Sequence, residues 1–213
     1  MKKNLFLIVM MMWSCGVLFS QETWVKTFGG NSHDGGSDIT TTLDGGFVLT
    51  GWTTSNDGND GDFKGMNKGK GDIFIIKLDS RGSVQWKKTF GGSEIDLVYT
   101  IVTTPDGGFV LTGETSSNDG DFKGMKKGTS QDIFIIKFDL RGSVQWKKTL
   151  GGSHWDTGNS ITTTPDGGYV LTGYTFSNDG DFKGMNKGEK DVFIIKLDSK
   201  GNLQPSGKKS KKK

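Results

Sequence analysis

Apolar and polar residues alternate along this chain in short runs, and the same runs return three times. The units begin at Trp24, Trp86 and Trp146, spaced 62 and then 60 residues apart. Each unit contains four runs with the period of two that marks a half-buried strand. The first is Ser37–Thr42, with equivalents Tyr99–Thr104 and Ser160–Thr164. A D-G-G turn follows at Asp44, Asp106 and Asp166, a strong hairpin signal. The second run is Phe47–Thr53 and the third Asp72–Asp79. Ser80-Arg81-Gly82 then turns into the fourth, Ser83–Phe90.

The third run is apolar on both faces: Ile73 and Ile75 point one way, Phe74, Ile76 and Leu78 the other. A central strand buried on two sides requires a further sheet against each face. The fourth run, with Trp86 and Thr89 among Lys87 and Lys88, suits a wetter edge. No stretch outside the first 20 residues has helical apolar spacing, and 20 of the 24 acidic residues are Asp, beside 34 Gly. Asp and Gly form turns where Glu favours helices. The pattern predicts an all-β fold of three four-stranded antiparallel repeats, β-propeller-like, because a unit of this length cannot bury its apolar faces alone. A β-trefoil-like three-fold closed fold is the alternative.

The string D-G-G-F/Y-V-L-T-G-x-T, S-N-D-G-D-F-K-G, D-I/V-F-I-I-K-L/F-D, G-S-V-Q-W-K-K-T-F/L-G-G resembles the tandem repeats of exported bacterial β-propeller-like proteins. The resemblance covers residues 24–204. It implies secretion or cell-surface exposure and a propeller-type repeat, and no defined enzymatic activity. Many such proteins are longer and carry a C-terminal sorting or adhesion module, whereas this chain ends in Pro205-Ser206-Gly207 and lysines.

Residues 1–20 read as a secretory signal peptide: Lys2 and Lys3, then an apolar run from Leu5 to Trp13. Cys15 as a lipid anchor fits poorly, since Met12 and Trp13 are bulky where a lipoprotein signal wants aliphatic and small residues. Without Cys15 the mature chain has no cysteine, hence no disulfide and no thiol nucleophile. No other segment is long and apolar enough for a transmembrane helix. The expected organisation is a three-repeat domain over 21–204 (units about 24–85, 86–145 and 146–204) and a basic, disordered tail over 205–213. Seven of the 27 basic residues lie in leader and tail, leaving 20 against 24 acidic ones. That balance excludes a nucleic-acid-binding body, which needs a clustered basic surface.

The loop S-N-D-G-D-F-K-G-M-x-K-G carries most of the candidate chemistry. Its carboxylates, Asp57, Asp60 and Asp62, then Asp119 and Asp121, then Asp179 and Asp181, offer the oxygens that calcium takes. Their spacing is not that of a helix–loop–helix calcium site, and turn formation alone accounts for Asn-Asp-Gly-Asp. The rim lysines Lys64, Lys68 and Lys70, Lys123, Lys126 and Lys127, Lys183, Lys187 and Lys190 would attract an anionic ligand or simply neutralise the neighbouring aspartates. Asp34, Asp96 and Asp156, each four residues after a Gly-Gly pair, are expected to accept hydrogen bonds from turn amides. His33 and His154 stand at different offsets and the second unit has no His, so neither a histidine metal site nor a Ser-His-Asp triad is supported. Trp24, Trp86 and Trp146 repeat and read as core. Trp52 and Trp155 do not repeat and read as contacts for a ligand.

The expectation is a secreted or cell-surface, non-catalytic binding or structural module for glycan or protein, with no cofactor unless calcium. A hydrolase with carboxylates at a propeller axis is the enzymatic alternative, and a ligandless fragment of a longer array the structural one. Pro205 stands where a fourth Trp would be, while Glu22 to Phe28 is an extra fourth run at the start. Self-association of two chains into a six-bladed ring would use both.

Overall fold

The computed structural model describes residues 23–56 and 61–203. The leader with Cys15, Asp57, Asp60, Pro205 and the lysine tail lie outside the described residues. Within them the chain is all-β, in three antiparallel sheets of 4, 4 and 3 strands. Sheet one is β1 (Asp34–Thr41), β2 (Phe47–Thr53), β3 (Asp72–Leu78) and β4 (Val84–Phe90). Sheet two is β5 (Asp96–Thr103), β6 (Phe109–Thr115), β7 (Asp132–Phe138) and β8 (Val144–Leu150). Sheet three is β9 (Asp156–Thr163), β10 (Tyr169–Thr175) and β11 (Asp191–Leu197). Single 3₁₀ turns at Gly120–Phe122 and Gly180–Phe182 bury Phe122 and Phe182 under the loops.

The first strand of each sheet begins earlier than the β-branched run suggests, at Asp34 rather than Ser37. A bulge after Gly36 lets the residues before it keep pairing: Asp34 lies opposite Thr53, Gly35 opposite Trp52 and Gly36 opposite Gly51. The D-G-G turn closes as expected, with Gly45 in the left-handed region at φ 80°. Gly46 is small for a different reason, since a Cβ there would lie 2.2 Å from the Leu78 carbonyl oxygen. The same turn anchors a buried cation: Lys77 Nζ donates to Asp44 Oδ1 (3.0 Å) and to the Leu78 carbonyl (2.9 Å). Lys137 repeats this with Asp106 and Phe138, so β3 and β7 each carry a paired internal lysine.

The two-faced third strand has a sheet on each side only in sheet two: Phe63 and Phe28 cover the second face of β3, and β11 leaves Val192 and Ile194 exposed. Ile73 and Ile75 of sheet one share a core with Val98, Ile101, Phe109 and Ile136 of sheet two. Ile133 and Ile135 of sheet two share the next with Ile161, Leu171 and Leu197 of sheet three. Packing between sheets runs chiefly along their first two strands, β1 and β2 on β5, then β5 and β6 on β9. Trp86 and Trp146 are inter-sheet core: Trp86 meets Phe109 at 6.3 Å and Trp146 meets Tyr169 at 5.6 Å, each over a glycine that follows the third strand of the next sheet, Gly142 and Gly201. Trp24 meets Phe47 at 5.9 Å over Gly82 with the same partners, but from outside the sheets and still exposed.

Candidate functional site

The rim aspartates lock the end of one sheet to the sheet that follows it. After β4 the chain runs through Gly91-Gly92-Ser93-Glu94, and four acceptors of sheet two and its loop catch its successive amides. Gly91 N–H donates to Asp121 Oδ2 (3.0 Å), Gly92 N–H to Asp96 Oδ2 (2.9 Å), Ser93 N–H to Asp119 Oδ1 (2.8 Å) and Glu94 N–H to Ser117 Oγ (3.1 Å). The third unit repeats the clasp with Asp181, Asp156, Asp179 and Ser177 on residues 151–154. In the first unit Asp62 and Asp34 hold Gly29 and Gly30. Asp62, Asp119, Asp121, Asp179 and Asp181 therefore direct oxygens at backbone donors. No group of three or more His, Cys, Asp or Glu able to hold a metal ion occurs among the described residues.

Two carboxyls behind the clasp are unusual. Oδ1 of Asp72 and of Asp132 is buried without a hydrogen-bond partner, while the second oxygen of each accepts an amide, Lys68 N–H at 2.9 Å and Lys127 N–H at 2.5 Å. Burial pushes both carboxyls up to about 6, against the pull of those amides. Asp96 and Asp156 are also raised by burial, opposed by hydrogen bonds from Thr115 and Thr175. A raised carboxyl is held protonated more tightly in the folded chain than in the unfolded one. Stability should therefore rise as pH falls from about 7 to about 4, and this contribution is lost as pH rises through about 6. Below that window the sign reverses, because Asp166, lowered by its hydrogen bond from Lys196, and Asp44, lowered by Thr42, must be protonated. Asp132→Asn should raise stability at neutral pH by about 1 kcal/mol after screening and flatten the slope in that window. Thermal melts across the range read both, and an unchanged slope would refute the assignment.

The rim lysines divide by role. Lys68 Nζ pairs with Asp121 of the next unit at 2.5 Å, and the backbone N–H groups of Lys68, Lys127 and Lys187 hold Asp72, Asp132 and Asp191. Lys64, Lys123 and Lys183 stand exposed one residue beyond the buried Phe63, Phe122 and Phe182. These three side chains follow the repeat and are equivalent in every unit.

One cluster does not follow the repeat. Trp155, 40% exposed, lies parallel to Phe176 (6.1 Å, 17°) and edge-on to Tyr174 (5.9 Å, 71°). Lys190 Nζ sits 3.6 Å from the Tyr174 ring centre, a cation–π contact. Below the indole, Trp155 Nε1 donates to the buried Glu114 Oε2 (3.0 Å), which also accepts from Thr157 Oγ1 (2.6 Å). Tyr99 abuts the same carboxylate, and burial together with Glu114 pushes its phenol well above the ordinary range. Register places Trp52, Glu114 and Tyr174 at one position of the repeat, opposite Gly35, Leu97 and Thr157. Trp52 lies over Gly35 in sheet one, outside the cluster that Trp155 joins. The signal for Tyr174, Phe176 and Lys190 was present in the sequence as aromatic and cationic departures from otherwise matching units.

No family model matches the chain. The regulatory protein FlaEY of Caulobacter vibrioides is 23% identical over 144 residues, 65% of this chain and 15% of that protein. The chain thus spans about 15% of the length of the curated relative it matches. Among solved structures, an apocarotenoid oxygenase of Synechocystis has a TM-score of 0.38 at 15% identity, covering 78% of this chain and 36% of the other. A protein of unknown function from Bacteroides caccae has a TM-score of 0.26 at 10% identity, covering 81% of each chain. Similarity of this degree assigns neither fold nor activity.

Proposed function

We propose that this is an exported, β-propeller-like, non-catalytic module that binds a saccharide on the Trp155 cluster. The observation that carries the reading is the asymmetry of that cluster. The turns, the aspartate contacts to Gly-Gly amides and the tryptophans lying over glycines recur in every unit, so a half-exposed Trp–Phe pair built in one unit only answers to something else. A flat apolar platform bordered by a cation suits a sugar, whose ring offers one C–H face and a rim of hydroxyls. Glu114 fixes the indole orientation from below, so the platform is preorganised. The resemblance of the repeats supports export, and the convergence of first strands supports blades.

Fluorescence titration with a panel of soluble polysaccharides tests the reading. Trp155→Ala should weaken binding at least about tenfold, as truncation of a central aromatic does, while far-ultraviolet dichroism stays unchanged. A second reading rests on the exposed Lys64, Lys123 and Lys183, which suit an anionic glycan. It predicts binding that falls steeply with salt and ignores Trp155→Ala. Binding by no member of the panel would sink the saccharide assignment.

A further inference from the structure

The two ends of the sheet series are complementary. On sheet three, Val192 is 81% and Ile194 79% exposed. Their equivalents by register, Ile73 and Ile75 in sheet one and Ile133 and Ile135 in sheet two, are fully buried against the following sheet. At the opposite end Ile39 is 57% exposed, whereas its equivalents Ile101 and Ile161 are buried against the preceding sheet. Each internal junction therefore mates the surface exposed at one end with the surface exposed at the other.

Backbone and fourth-strand sequence agree with this. Among the described residues the outer edge of β11 is met only by the single bridge from Leu197 to Leu203. Trp24-Val25-Lys26-Thr27-Phe28 repeats the Trp86–Phe90 and Trp146–Leu150 sequences of β4 and β8. It is outside the sheets, yet Trp24 and Phe28 already rest on sheet one as Trp86 and Phe90 rest on sheet two. It thus occupies the place of a fourth strand belonging to a preceding sheet.

We infer that the protein associates end to end with a second copy of itself. Sheet three of one copy packs on sheet one of the next, and residues 24–28 of that copy pair with the β11 edge. The register of β3 with β4, Ile73 opposite Phe90 and Lys77 opposite Trp86, sets Val192 opposite Phe28 and Lys196 opposite Trp24 of the second copy. The contact is heterologous, one end on the other. It buries the apolar side chains that both ends leave in water and satisfies the β11 backbone. The inference rests on observations separate from the saccharide reading, although the face it covers includes Tyr174, which lies opposite Val192.

Sedimentation velocity of the full chain over two decades of concentration tests it with two variants. Val192→Asp/Ile194→Asp blocks one end and Trp24→Ala/Ile39→Asp the other. Val192, Ile194 and Ile39 are exposed and Trp24 touches only the outer surface of sheet one, so the monomer fold should be preserved, which circular dichroism checks. The wild-type chain should associate, each variant alone should be monomeric, and an equal mixture should give a one-to-one complex through the two intact ends. A monomeric wild type at every concentration overturns the inference. So does a variant that still self-associates, or a mixture that does not.

Discussion

Ile135→Ala should destabilise the protein by about 2–5 kcal/mol, the range for truncating a fully buried aliphatic side chain. Ile194→Ala, the same change at the same place in the repeat, should stay within about 0.5 kcal/mol for the isolated chain. Ile135 lies opposite Thr112 and Ile194 opposite Thr172, so the neighbour on the second strand matches, although Ile135 also faces Lys148 of β8 and Ile194 stands on a sheet edge. The difference is what covers them. Ile135 packs with Ile161, Leu171 and Leu197 of the next sheet, while Ile194 faces water. Truncation at Ile135 opens a cavity between sheets that cannot collapse, because β9 is held by the clasp on residues 151–154. Denaturant unfolding of dilute protein measures both. At high concentration end-to-end association should close the gap between them, making Ile194→Ala costly too. Equal costs in dilute protein would mean that the outer surface of sheet three is covered by something else.

The repeat made most of the fold legible, and it did so through residues with one physical use. Ile133, Phe134, Ile135 and Ile136 are all buried because sheets lie on both sides of β7, whereas in β3 the loop residue Phe63 and Phe28 cover the second face in place of a sheet. Gly45 needs a positive φ and Trp86 needs a neighbour's glycine, so their spacing located turns and junctions. The rim aspartates were harder to read. In sequence, a carboxylate on a Gly-rich loop looks the same whether it faces a cation or an amide. The amides these carboxylates meet come from where Gly91 and Gly92 run, 30 residues from Asp121 and four from Asp96. The aromatic cluster was half legible. Trp155 stood out, but its partners Tyr174 and Phe176 come from the next strand, at positions filled by Trp52 and Thr54, or Glu114 and Ser116, elsewhere. Reading those columns across units, rather than the tryptophans alone, locates the site.

Gly113→Ala should cost about 3 kcal/mol, the upper end of what a forced extra methyl costs in a packed interior. A Cβ built on Gly113 lies 1.9 Å from the Leu97 carbonyl oxygen, a backbone atom with no rotamer to change. The equivalents Gly51 and Gly173 meet the carbonyls of Gly35 and Thr157 at 2.0 and 1.9 Å, so the requirement belongs to every unit. It arises from the bulge between Val98 and Thr100, which brings the first strand unusually close to the second. Relieving the clash means shifting β5 at Leu97, one residue from Asp96, whose oxygens hold Gly92, Thr115 and Ser117. The damage should therefore spread from the sheet to the junction. Amide hydrogen exchange would show it as lost protection at Gly91, Gly92 and Ser93, far from the substituted residue in sequence. Gly107→Ala, where a Cβ meets only the Leu43 side chain at 3.6 Å but φ is 83°, separates the two demands. Strain from φ alone should cost about 1 kcal/mol and leave the clasp amides protected. If Gly113→Ala leaves them equally protected, the bulge does not set the junction.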